Sequence, residues 1–94
     1  MEQNIYSEMA TRIITEQEKI IGPVAYLQAD TIPGLIVNRK SRTVTVPGNG
    51  AATIDSLVQS YKEFFGNAAV EVSKKAVGNL RFNLQPGQLP QSLR

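Results

Sequence analysis

The residues best placed to do chemistry form two small groups in the middle of the chain. The first is the glycine pair of Pro47-Gly48-Asn49-Gly50, which follows the β-prone run Arg42-Thr43-Val44-Thr45-Val46 and precedes a helical pattern. Glycines between a strand and a helix let backbone N–H groups close on a phosphate, as in dinucleotide-binding folds and P-loops. Those sites demand more than two glycines. A dinucleotide fingerprint needs a third glycine where this chain has Thr53, and a P-loop needs a Lys-Ser/Thr pair that does not follow Gly50 here. The preceding run is also the second arm of an expected hairpin rather than a parallel strand, so the crossover geometry is wrong. The segment therefore reads as a strand-to-helix turn, with Thr53, followed by Asp55, capping the helix.

The second group is basic. Arg39, Lys40 and Arg42 cluster at the expected hairpin tip, no acid lies between Asp30 and Asp55, and Lys74, Lys75 and Arg81 extend the patch if a third strand lies alongside. Such a tip suits contact with phosphates. It carries no aromatic residue to stack on a base, and basic side chains near a strand edge also serve to discourage edge-to-edge aggregation. Arg39, Lys40, Arg42, Lys74, Lys75 and Arg81 are thus the candidate binding patch, with nucleic acid the second-ranked partner and another protein the first.

Other chemistries lack their residues. There is no histidine and no cysteine, which removes imidazole bases, thiolate nucleophiles, thiolate metal sites and disulfides. The eight acids stand singly apart from Glu16 and Glu18, which point to different sides of a helix. No catalytic residue, metal ligand or cofactor is expected. Residues 1–30 hold five acids against Arg12 and Lys19, whereas residues 31–94 hold eight bases against Asp55, Glu63 and Glu71, so the front is acidic and the back basic.

The elements that must position these groups follow from periodicity. Thr15-Glu16-Gln17-Glu18 has the S/T-x-x-E pattern of a capping box and predicts a helix start. Ile20, Val24 and Leu27 then recur at helical spacing, interrupted at Gly22-Pro23 by a kink or a stop and restart. Leu35-Ile36-Val37 and Arg42–Val46 predict a hairpin, with Val44 and Val46 on one face. Ile54, Leu57, Val58, Tyr61, Phe64 and Phe65 predict an amphipathic helix whose whole stripe is buried. Gly66-Asn67 breaks it, Ala69, Val72, Ala76 and Val77 resume it, and Gly78 ends it. Leu80, Phe82 and Leu84 alternate with polar residues and predict a third strand.

Glu18-Lys19-Ile20-Ile21-Gly22-Pro23-Val24-Ala25 and Lys62-Glu63-Phe64-Phe65-Gly66-Asn67-Ala68-Ala69 echo one another 44 positions apart. They read as two similar helix corners at which glycine relieves crowding or reverses the chain, with an ancient duplication the second-ranked alternative.

The expectation is one α+β domain over residues 1–94, ordered from about 11 to 84 with flexible tails at 1–10 and 85–94. A small, mostly antiparallel sheet of three strands is covered on one side by broken helices. The absence of cysteine, of a basic-apolar leader and of any long apolar run predicts a cytoplasmic chain with no membrane segment. An exposed sheet edge, apolar positions on nearly every element and no disulfide predict a non-enzymatic, homodimeric protein-interaction or regulatory module.

Overall fold

The computed structural model describes residues 5–38, 40, 41, 43–46, 50–84 and 90–93. Helix α1 (Ile5–Ile21) is followed by the short α2 (Val24–Asp30), the strands β1 (Ile36–Asn38) and β2 (Thr43–Thr45), and helices α3 (Gly50–Phe65) and α4 (Asn67–Val77). A 3₁₀ helix at Gly78–Asn83 and a 3₁₀ turn at Gln91–Leu93 complete the described elements. Among the described residues the molecule is thus mostly helical, with a single two-stranded antiparallel sheet.

Helix α1 starts ten residues before the capping box. Met9, Ala10, Ile13, Ile14 and Gln17 fall at i, i+1, i+4, i+5 and i+8, and all are buried, so the apolar stripe that commits the helix lies upstream of Thr15. Thr15 is an interior residue whose hydroxyl donates back to the Thr11 carbonyl oxygen at 2.7 Å. The break at Gly22-Pro23 is a stop and restart. Gly22 takes a positive φ of 75° and Pro23 stands at the N-cap of α2. That restart changes the helical phase, so α2 buries Ala25, Tyr26 and Ala29 and leaves Leu27 exposed.

The expected three-stranded sheet is replaced by the β1–β2 hairpin alone, in which Ile36 faces Thr45 and Asn38 faces Thr43. Two causes act together. Leu80, Phe82 and Leu84 satisfy a period of two, but Leu80 and Leu84 are also four apart, and the chain uses the second spacing. After α4 ends at Gly78 (φ 47°) it coils as a 3₁₀ helix, packs Leu80 and Leu84 against the core and leaves Phe82 74% exposed. One of the two hairpin edges, that of β2, is also taken. The Val46 N–H donates to the buried Ser7 hydroxyl at 2.7 Å, and the Val44 N–H to the Thr11 hydroxyl at 3.1 Å. Two outward amides of a strand lie two residues apart, about 6.6 Å, and hydroxyls one turn apart on a helix lie about 6 Å apart, so α1 seals the edge in register. Val44 and Val46 turn their side chains into the core, as the alternation predicts.

The two helix pairs match one another in several local features at residues 44 apart. Gly66 (φ 79°) matches Gly22, and each donates its N–H four residues back, to the oxygens of Lys62 at 2.8 Å and Glu18 at 2.9 Å. The Ala69 N–H bonds the Gly66 oxygen at 3.1 Å as the Ala25 N–H bonds the Gly22 oxygen at 3.0 Å. Ala10, Ile13 and Ile14 are buried on α1, and so are their counterparts Ile54, Leu57 and Val58 on α3. The cross-links between halves are reciprocal. Gln17 Nε2 donates to the Ala69 oxygen at 3.0 Å, and its counterpart, the Tyr61 hydroxyl, donates to the Ala25 oxygen at 2.6 Å. The incoming chain is met in matching fashion: Thr11 receives the Val44 amide, and Asp55 Oδ1 receives the Ser92 amide at 2.9 Å. The echo at Gly22 and Gly66 is therefore one part of a match that runs through both helix pairs.

Candidate functional site

The basic patch is carried by separate elements. Arg39 and Arg42 lie outside the described residues. Lys40 is exposed in the hairpin turn, where Asn38 Oδ1 accepts the Lys40 N–H at 3.1 Å and the Ser41 N–H at 3.2 Å. Lys74 and Lys75 occupy the last turn of α4, where positive charge complements the carbonyl end of the helix. Lys75 lines a groove with Glu16, Lys19, Ile20 and Val72, so its neighbours are on α1. Arg81 falls in the 3₁₀ helix rather than on a strand beside the hairpin, so the alignment expected to merge these bases is not formed.

Of the glycine turn, Pro47, Gly48 and Asn49 lie outside the described residues. Gly50 opens α3 and is covered: the Tyr6 ring lies against its backbone where any Cβ would stand. Helix α3 thus begins three residues before Thr53, and Asp55, expected at the cap, instead holds the Ser92 amide. Tyr6 stands 44 residues before Gly50, so an aromatic ring on one half fits the glycine at the same place in the other.

What sequence reasoning missed is the exposure of large apolar residues at the last turns of α1 and α3. Ile20 and its counterpart Phe64 stand 65% and 64% exposed at the last turns of α1 and α3. Phe65 is also exposed, with its ring centroid 6.4 Å from that of Phe64. These residues were expected inside the helix stripes, but the last buried side chains of those stripes are Gln17 and Tyr61, and the helices run one further turn before glycine turns them. The Gln17–Ala69 and Tyr61–Ala25 bonds tie each helix to the start of the helix that follows the other corner. Beside Ile20 the α1–α4 groove encloses about 240 Å³ over a mainly aliphatic floor of Ile20 and Val72. The signal available in the sequence was the repetition itself, two large apolar residues before each breaking glycine.

Among the described residues, the buried Tyr61 on α3 has a perturbed ionisation. Burial raises the Tyr61 phenol well above the usual tyrosine range, and the neighbouring Tyr26 phenol adds to the shift. The folded state favours the neutral form, so this contribution is complete below the ordinary tyrosine pKa of about 10 and is withdrawn as pH rises beyond it. In an alkaline titration followed by phenolate absorbance, Tyr61 is expected to ionise only as the fold opens. A Tyr61→Phe variant should lose that late component and keep the earlier absorbance; a late component that persists in the variant would contradict the assignment.

Among the described residues no group of three acids converges on a metal-sized site, and no helix is long and apolar enough to cross a membrane. No protein-family model, curated protein or solved structure matches this chain.

Proposed function

We propose that this chain is a non-enzymatic, cytoplasmic protein-interaction module that works as a homodimer. The observation that carries the reading is the set of exposed apolar side chains at the last turns of α1 and α3, Ile20 on one and the neighbouring pair Phe64 and Phe65 on the other. Exposed large aromatic and aliphatic residues mark contact surfaces more often than catalytic ones. The cytoplasmic placement rests on a chain without cysteine, which suits a reducing compartment.

Sedimentation equilibrium at tens of micromolar is expected to give twice the chain mass of 10.3 kDa. A monomer throughout that range would refute the reading. A retardation assay at about 0.15 M salt with mixed-sequence RNA and DNA is expected to show no complex, since scattered lysines without stacking rings give only weak phosphate contact.

A further inference from the structure

Two hollows beside α1 run into one another. The first, about 240 Å³, lies against Ile20, Val72 and Lys75, the second, about 310 Å³, against Thr11, Thr15 and Ala76, and Glu16 and Lys19 line both. Together they make one open trough between α1 and α4, which from Thr11 to Ile20 at about 1.5 Å per residue is about 14 Å long. Both walls are helices, so they offer side chains and no strand edge. The threonine hydroxyls are already engaged, Thr11 donating to the Ser7 oxygen at 2.9 Å and Thr15 to the Thr11 oxygen at 2.7 Å. An occupant must therefore satisfy its own backbone, which a helix does and an extended peptide does not. The charges then set its sign. Arg12 is held by Glu8 at 3.1 Å and Lys19 by Glu16 at 2.9 Å, whereas Lys75 is exposed and forms no ion pair among the described residues. An arriving carboxylate gains Lys75 as a partner; an arriving ammonium meets Lys75 and finds the one acid of the trough taken.

We infer that this trough takes a helix of a partner protein whose contact face joins aliphatic side chains to carboxylates. This rests on the protein-interaction reading above and is independent of the homodimer. The length of the trough matches about ten residues of helix, or between two and three turns. Aliphatic side chains of that helix at i and i+3 or i+4 lie on Ile20, Val72 and Ala76, and an Asp or Glu on its flank reaches Lys75. Ten residues do not hold a helix alone in water, so the segment belongs to a longer helix or to a folded partner.

The test is selection on the full chain from displayed helices of about 18 residues, long enough to form alone, randomised along one face. It should enrich Asp or Glu beside Leu, Ile or Val. Amide shifts on binding an enriched helix should fall on residues 11–20 and 72–76. Lys75→Glu should weaken that helix at least about tenfold, and replacing its acid by lysine should restore binding to this variant. Val72→Asp should abolish binding, with circular dichroism to verify folding; Lys75→Glu, on an exposed position, carries the test if it does not fold. A selection that enriches nothing, or basic or charge-indifferent helices, would overturn the assignment. So would shifts elsewhere, or binding that ignores Lys75→Glu. Dissociation of the unliganded dimer by Lys75→Glu would make a second copy the occupant and overturn it too. Each of these results leaves the homodimer standing, whereas a monomeric wild type that binds acidic helices would refute the homodimer and leave the trough its partner.

Discussion

Tyr61→Ala is expected to remove about 3–5 kcal/mol of unfolding free energy, the range for emptying a large buried aromatic site. Small domains hold only about 5–15 kcal/mol in all, so the variant should be partly unfolded at 37 °C. The residue is fully buried on α3 and does two jobs: its ring fills the space between the halves, and its hydroxyl satisfies the Ala25 oxygen at 2.6 Å, just after the break that starts α2. Tyr61→Phe keeps the ring and strands the oxygen, so it should cost about 1–3 kcal/mol. Urea unfolding of both variants separates packing from hydrogen bonding. Equal losses in the two would show that the ring contributes little.

The hairpin should prove equally dependent on α1. Combining Ser7→Ala with Thr11→Val leaves the amides of Val46 and Val44 facing a helix that no longer accepts them, and each buried unpaired donor costs about 1–3 kcal/mol. Valine matches threonine in shape, so the loss at position 11 reports on the hydroxyl. Hydrogen exchange gives the decisive reading: both amides should exchange far faster than the fall in global stability explains, because the hairpin lifts before α3 and α4 open. Protection at Val44 and Val46 that tracks global stability would mean that the hydroxyls are not what holds the strand.

Some of this architecture could be read before the coordinates. The inward face of Val44 and Val46 follows from alternation, and the breaks at Gly22 and Gly66 follow from residue type, because both signals are local. What escaped depends on distant partners. Thr15-Glu16-Gln17-Glu18 imitates a helix start, and only the burial of Met9 and Ala10 against the rest of the chain shows that the helix is already under way. Leu80-Arg81-Phe82-Asn83-Leu84 suits a strand or a coil, and α1 hydroxyls more than sixty residues upstream close the β2 edge to it. Phe64 continues a helical stripe without fault, but the core ends one turn earlier. The candidate surface was hidden for that reason: periodicity shows which side of a helix is apolar, and not how far along it the neighbours reach.

The crossed ties between the halves bear on how the protein is made. Gln17 has its partner in Ala69, Asp55 has its partner in Ser92, and Leu93 is fully buried. Neither helix pair can finish its own core, so the first cannot fold as a unit while the second is still being synthesised. At about 5–20 residues per second, translation from α1 to Leu93 takes several seconds, during which Met9, Ile13 and Ile14 have no cover on a growing chain. A ribosome stalled between Phe65 and Leu93 would thus present an open apolar helix pair rather than a half-built domain.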